Sequence, residues 1–418
     1  MSAIILSIGD ELVSGLTVNT NATWLSRELS AIGISTLRQV TVGDDQNAIA
    51  AAIREACGQC RLVLISGGLG PTLDDVTRQA LAAALDTTLV EDSTALDQLE
   101  AFFQRINRPM ASSNRRQALR PQTAQCLPNS CGTAPGLFAS TRATDIFVVP
   151  GVPREMRAMF TQSILPRLGQ LSQNLVTRTY QLHTFGIGES VIGQRIADLM
   201  VRGANPSIGT TVHEGVVSVR IYARGSAAQA DAMVEDARRK IIQRLGNAIF
   251  SQQEQSLQEA LAVLLNEYGP TIAVAESCTG GLLAQMLTSV PGASSYFQRG
   301  WVTYSDQAKV EELGVPPELL QTHGAVSEPV ALAMAQGALS RAASQWALSI
   351  TGIAGPDGGT AEKPVGLVYI GLAGPGRSTV RRNIFTGDRA GIRLRSAQMA
   401  MTILRLTLQG LDVDTVLA

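Results

Sequence analysis

RLVLISGGLGPTLDD (residues 61–75) passes from a short apolar run into Gly67, Gly68 and Gly70, and then into the adjacent carboxylates Asp74 and Asp75. An apolar run that stops at glycine reads as a buried strand, and the pattern predicts a helix beginning near Asp74. Strand, glycine turn and helix in this order form the unit of an α/β fold, a parallel sheet covered by helices that takes ligands at its carboxyl edge. Glycines there let backbone N–H groups approach a phosphate at the positive end of a helix. Asp74 and Asp75 also have a plainer reading as carboxylates that favour a helix start.

Working outward, AIILSIG (3–9) and IFVVPGVPREM (146–156) are two further strands of the same sheet, the latter stopped by proline and followed by a helix through Leu168. NTNATWLSRELSAIGI (19–34) opens with asparagine caps and repeats apolar residues at helical spacing. Asp10 and Glu11, with Asn19 and Asn21, add polar groups to the edge that carries the glycines. Carboxylates facing a phosphate pocket imply a divalent cation between them. GQLSQNLV (169–176) is polar and unpatterned and reads as a linker. Residues 177–250 then predict a small α+β module of a strand, a helix (190–200), two strands (207–212 and 216–223) and a long helix (227–245). NAIFSQQEQS (247–256) is a second linker, before a helix at 256–268 and renewed strand–helix alternation that ends in a helix from about 388 to 410. The expected domains are 1–170, 171–250 and 251–418.

The 418 residues suit two to four domains. With 34 basic and 35 acidic residues the net charge is -1, so no part looks like a binder of phosphate backbones. No apolar stretch approaches the length of a membrane span, and MSAIILSIGDELVSG lacks the basic start and long apolar run of a signal peptide. A cytoplasmic location is expected. Five irregularly spaced cysteines, with Cys57 and Cys60 as a lone pair, predict free thiols rather than a disulfide scaffold or a zinc site. His183 and His213 lie in no ligand-spaced cluster and read as packed or hydrogen-bonded residues.

Only three basic residues are lysines: Lys240, Lys309 and Lys363. Arginine cannot readily lose its proton, whereas a desolvated lysine can, which singles out Lys309 and Lys363 over Lys240, which sits in an arginine-rich helix. A second strand–turn–helix unit points the same way. TIAVA (271–275) runs into Glu276, Ser277, Cys278, Thr279, Gly280 and Gly281, where a serine can be exposed as a nucleophile or can simply cap the helix. Lys309 on the first turn of the next helix, after Tyr304 at a strand end, would supply a Ser-Lys pair. The scarcity of histidine makes a Ser-His-Asp triad a poor fit, with His323 the weak exception. Consecutive residues at a strand end face opposite ways, so Ser277 or Cys278 faces the pocket but not both, and cysteine is the residue more often buried. TGIAGPDGG (351–359) is a further glycine-rich turn suited to phosphate and ribose. Arg389 and Arg393, one helical turn apart, can present guanidinium groups to a phosphate or form a solvated face.

These motifs carry a resemblance. SIGDELVSG, VTVGDD, SGGLGPTLDDVTRQALA, NRRQALRP, LPNSCGTAPGL and VVPGVPREM are similar, in order, to the N-terminal domain of the CinA family (competence/damage-inducible protein A). LHTFGIGESVIGQRI and GVVSVRIYA resemble its KH-like middle module. AESCTGG, YSDQAK, HGAVSEPVA, TGIAGPDGG, KPVG and FTGDRAGIR resemble its C-terminal domain, which is similar to nicotinamide-nucleotide amidohydrolases. The resemblance implies an N-terminal fold like molybdopterin-binding proteins, with metal-dependent ADP-ribose pyrophosphatase activity. Gly67, Gly68, Gly70, Asn19 and Asn21 would meet that substrate, and Asp10, Asp74 and Asp75 would hold the metal. In the C-terminal domain it implies hydrolysis of nicotinamide mononucleotide to nicotinic acid mononucleotide and ammonia. Ser277 would be the nucleophile, Lys309 the base and Tyr304 a positioning residue. Thr279, Gly280, Gly281, Gly352 and Gly355 would line the pocket, and Arg389 or Arg393 would take the phosphate. The expected partners are these small nucleotides, without nucleic acid or membrane, in a homodimer. The competing expectations are an N-terminal module that binds a molybdopterin-like ligand without chemistry, and a partner-binding factor in DNA uptake or repair.

Overall fold

The computed structural model describes residues 1–169, 175–252 and 254–417. Most of the first expected linker (170–174) and residue 253 of the second lie outside the described residues. The chain divides into two compact units: Met1–Arg178 with Ala223–Ala232, and Thr179–Tyr222 with Met233–Ala418.

The first unit is built on eight strands: β1 (Ser2–Ile8), β2 (Ser35–Val42), β3 (Leu62–Ser66), β4 (Leu89–Glu91), β5 (Leu119–Pro121), β6 (Gln125–Leu127), β7 (Gly136–Ser140) and β8 (Asp145–Val149). Six of them form one sheet in the order β2-β1-β3-β8-β7-β6. The three strands expected from sequence are its centre, β1, β3 and β8, and they are parallel. Alternation along β1 explains why its run is almost wholly apolar. Ile4, Leu6 and Ile8 join one buried cluster with Val63 and Ile65, while Ala3 and Ile5 join the opposite one with Leu64 and Phe147. A strand covered on both faces has no polar side.

Sequence reading missed β2, β6 and β7. The sheet is also mixed, because β7 and β6 run antiparallel to their neighbours. The helix expected near Asp74 starts at Thr77 instead (Thr77–Ala84). Gly67 has φ 111°, and a Cβ there would lie 2.3 Å from Ile8 O, so the turn after β3 crosses the end of β1 too closely for a side chain.

The middle segment follows the predicted order with β9 (Val176–Thr184), a helix Glu189–Arg195, β10 (Ser207–His213), β11 (Val216–Gly225) and a helix Ala227–Leu245. The second expected linker is partly a strand, β12 (Ile249–Ser251), which closes the sheet β10-β11-β9-β12. His183 is packed as expected. Its Nδ1 lies 2.8 Å from Ser218 Oγ, its ring stacks on Phe250, and burial lowers its pKa.

The C-terminal sheet holds β13 (Ile272–Glu276), β14 (Phe297–Val302), β15 (Trp346–Gly352), β16 (Leu367–Gly374) and β17 (Arg377–Ile384), in the order β14-β13-β15-β16-β17. β14, β13 and β15 are parallel, so three strand ends and their following turns share one edge. Ile272 and Val274 pack into one cluster, with the Arg389–Leu408 helix, and Ala273 and Ala275 into another, with the Glu328–Ala342 helix. The Leu257–Tyr268 helix begins with a reciprocal capping box between Ser256 and Glu259.

Candidate functional site

The alternation of β13 continues past its end. Cys278 packs with Ile272 and Val274 in their cluster and is only 6% exposed. Ser277, one residue earlier, faces the other way, where Lys309 Nζ lies 3.2 Å from its Oγ. Lys309 comes from the Asp306–Leu313 helix, whose N-cap Ser305 accepts from Ala308 N–H, and it is 1% exposed. Its Nζ also donates to Thr303 O at 3.0 Å and to Tyr304 O at 3.4 Å. Burial holds the Lys309 pKa below the usual lysine value, against the opposing pull of Asp306. The same burial pushes the Cys278 thiol up to about 11, so the cysteine is held as an unreactive thiol.

Glu276, at the end of β13, is fully buried and accepts from three N–H groups of the next turn and helix: Gly281 (3.1 Å), Leu283 (3.0 Å) and Ala284 (2.8 Å). It thereby caps the Leu282–Thr288 helix. Gly280 and Gly281 sit at φ 59° and 91°, left-handed values that let the chain turn sharply after Thr279. Thr303 N–H donates to Glu276 O at 2.8 Å and so aligns the neighbouring turn. The hydroxyls of Thr279 and Thr303 are both buried without a hydrogen-bond partner.

Arg389 brings distant motifs together. Its Nη1 donates to Gly355 O at 2.6 Å and its Nη2 to Tyr304 Oη at 3.0 Å, while the Tyr304 side chain stays exposed. Arg393 donates from Nε (3.2 Å) and Nη2 (2.6 Å) to Thr279 O. Thr351 Oγ1 donates to Ala325 O and Lys363 Nζ to His323 O, so the 351–366 segment is tied to the 323–325 turn. Gly352 pairs with Val368 on β16, and a Cβ there would strike Leu367 O at 2.7 Å, which makes it a packing position within the sheet.

In the first unit, Gly67, Gly68, Gly70, Asp44, Asp74 and Asp75 are among the residues lining a cavity of about 410 Å³ at the carboxyl edge of β1 and β3. Asn19 and Asn21 line a smaller one of about 130 Å³. Asn19 caps the Thr20–Ala31 helix through Ala22 N–H, and Asn21 Nδ2 donates to Ser66 Oγ (3.0 Å) and Gly151 O (2.7 Å).

The carboxylates expected to hold a metal are used differently. Asp75 folds back onto its own turn, accepting from Gly70 N–H (2.8 Å), Thr72 N–H (2.9 Å) and the Thr72 hydroxyl, which delays the helix to Thr77. Asp10 and Asp44 exchange backbone hydrogen bonds, Asp10 N–H to Asp44 Oδ2 at 2.9 Å and Asp44 N–H to Asp10 Oδ1 at 3.0 Å. Burial raises the Asp44 pKa, and the charges of Asp10, Glu11 and Asp74 push it the same way. Asp74 is exposed, and its neighbour Thr72 and the charge of Arg116 lower its pKa. Among the described residues no three His, Cys, Asp or Glu side chains are grouped to hold a metal ion. The set Asp10, Asp74 and Asp75 therefore does not fit one as arranged. Beneath the turn, the buried Arg78 donates from Nη2 to Leu69 O at 2.7 Å, and burial pulls its pKa down to about 10.

The chain is 43% identical to a competence-damage inducible protein of Symbiobacterium thermophilum over 98% of its own length and 99% of the relative's. It belongs to the CinA family. A CinA-like protein of Parasynechococcus marenigrum is 42% identical over 96% of this chain and 95% of its own. Three family models match in order: "Probable molybdopterin binding domain" at 4–170, "Damage-inducible protein CinA KH domain" at 179–251 and "CinA C-terminal domain" at 254–408. The crystal structure of competence/damage inducible protein CihA from Agrobacterium tumefaciens is 41% identical, covering 37% of this chain and 93% of that one, with a TM-score of 0.36.

In this CinA chain, then, hydrogen bonds join Lys309 to Ser277 and to Tyr304 O, Arg389 to Tyr304 Oη, and Arg393 to Thr279 O, so Arg393 does not stand open. Glu276, Thr303 and Arg78 were not singled out from sequence. The signal for the first was a carboxylate directly before a serine–glycine turn, and for the last an arginine inside an apolar helix. No described helix is long and apolar enough to cross a membrane, and all five cysteines are free.

Proposed function

We propose that the C-terminal domain is an amidohydrolase that converts nicotinamide mononucleotide to nicotinic acid mononucleotide and ammonia. The observation that carries this reading is the setting of Lys309. A neutral amine has two N–H donors and one lone pair. The carbonyls of Thr303 and Tyr304 take the two donors, and the lone pair is left toward Ser277 Oγ at 3.2 Å. Desolvation favours that neutral form.

The chemistry then balances with these two residues. Ser277 passes its proton to Lys309 as its oxygen bonds to the amide carbon, and the C=O electron pair moves onto oxygen. When the carbonyl reforms, the C–N bond breaks and the nitrogen leaves as ammonia with the proton returned by Lys309. Water, deprotonated by the same amine, attacks the resulting ester, releasing the acid and restoring Ser277. Tyr304, fixed by Arg389 yet exposed, stands at the mouth as a positioning group. The substrate's identity rests on the family resemblance of the motifs. Ammonia and nicotinic acid mononucleotide formed in equal amounts by the purified protein support the reading, and release of neither rejects it.

A second activity is proposed for the N-terminal domain, cleavage of ADP-ribose at its pyrophosphate, on the strength of the cavity of about 410 Å³ beside the 67–70 turn. Incubation with ADP-ribose, with divalent cation or with chelator, tests it by the appearance of AMP and ribose 5-phosphate, and Asp44→Asn should suppress that cleavage while leaving ammonia release intact.

A further inference from the structure

The backbone N–H groups after Ser277 can be followed one at a time. Ser277 N–H donates to Ile350 O at 2.9 Å, Gly280 N–H to Ser277 O at 3.0 Å and Leu282 N–H to Thr279 O at 3.3 Å. Glu276 takes those of Gly281, Leu283 and Ala284. Among the described residues, Cys278 N–H and Thr279 N–H donate to no other residue, and that of Cys278 meets only its own sulfur. These are the two donors that directly follow the serine. The N–H after a nucleophile at a strand-to-helix turn is the usual site where a tetrahedral oxyanion is received.

Two open donors help only if the turn cannot rotate them away, and Arg393 holds it from outside. Although 114 residues distant in sequence, it sets Nε and Nη2 on the single oxygen of Thr279. Gly280 N–H, on the far side of the same peptide, is fixed on Ser277 O. The Thr279–Gly280 peptide plane is thereby pinned at both ends. An arginine whose Nε/Nη2 edge is occupied by a carbonyl does not offer that planar fork to a phosphate.

We propose that Arg393 is a positioning residue, which fixes the Thr279 peptide so that Cys278 N–H and Thr279 N–H stay directed to the oxyanion formed on attack by Ser277. The proposal rests on the amidohydrolase reading of this site. It differs from a phosphate role in a way that kinetics can separate, because positioning acts on the acyl transfer step whatever the substrate carries at its 5′ end.

The test compares Arg393→Lys and Arg393→Gln with the wild type on nicotinamide mononucleotide and on nicotinamide riboside, which lacks the phosphate. Far-ultraviolet circular dichroism and thermal melting check that each variant folds. Positioning predicts kcat lower by about tenfold to a hundredfold on both substrates with KM within about twofold, since small misplacements at a reacting centre cost that much. It also predicts that Lys and Gln, which each keep one donor for Thr279 O, retain similar activity. A rise in KM confined to the phosphorylated substrate, with Lys much better than Gln, would overturn it in favour of phosphate binding. Unchanged kinetics on both would overturn it outright.

The rate of Ser277 labelling by a fluorophosphonate, whose attack also builds charge on an oxygen, separates this inference from the substrate reading. A wild type that is labelled but releases no ammonia rejects the substrate alone, and slower labelling of both variants still supports the role of Arg393. A wild type that is not labelled and releases no ammonia overturns both.

Discussion

In the 66–75 turn, Asp75 folds back onto Gly70 and Thr72 N–H, while in the 276–281 turn Glu276 reaches forward onto Gly281, Leu283 and Ala284 N–H. Both are glycine turns at the carboxyl edge of a parallel strand, and both spend an internal carboxylate on N–H groups that a bound phosphate could have taken. They differ in what remains. The first leaves a cavity with a half-buried Asp44 among like charges. The second leaves a desolvated amine against a serine and, among the described residues, two N–H groups with no acceptor on another residue. A glycine turn therefore says where a ligand can approach, and the residues around it decide whether chemistry follows.

The sharpest way to break that contrast is to remove the amine. Lys309→Met keeps the packing of the buried stem but deletes the base, and kcat for ammonia release should fall about a thousandfold. In the wild type, log kcat/KM should rise with pH as Lys309 gives up its proton and level off below the ordinary lysine value, because burial lowers its pKa and only the neutral form accepts from Ser277. A profile that falls over this range would remove Lys309 from the role of base.

Next in size is a matched pair of isosteric changes, one in each turn. Glu276→Gln leaves at least one buried N–H facing an amide NH₂ group and should cost about 2 kcal/mol in urea unfolding. Asp75→Asn makes the same exchange in a turn open to water and should cost less than about 1 kcal/mol. Equal losses would mean that burial does not distinguish the two turns.

The centre of each sheet was legible in the sequence for one reason. β1, β3, β8 and β13 are covered on both faces and read as continuous apolar runs, the first three stopped by glycine or proline and the last by the 276–281 turn. β2 (STLRQVTV) lies at an edge and is largely exposed, and β6 and β7 are three and five residues long, so none offers a clear period. The opposite facing of Ser277 and Cys278 followed from strand alternation alone. The use of Asp75 was not legible, because whether a carboxylate is free depends on where its own chain turns, and Asp75 accepts from residues three and five positions before it. The pairing of Arg389 with Tyr304 across 85 residues is likewise visible only in the fold.

The smallest effect expected is none. Cys278 is 6% exposed with its thiol pushed up to about 11, so the wild type should keep its ammonia release after iodoacetamide treatment at neutral pH. Rapid inactivation with alkylation at Cys278 would mean that the turn opens in solution.

Joint action of Ser277 and Lys309 on an amide is tested most directly by one assay. Ammonia and nicotinic acid mononucleotide are measured after incubating nicotinamide mononucleotide with wild type and with Ser277→Ala, alongside substrate binding to each. The wild type should form the two products in equal amounts, and Ser277→Ala should form neither while still binding substrate. An active Ser277→Ala protein that iodoacetamide inactivates would contradict this and transfer the nucleophile's role to Cys278.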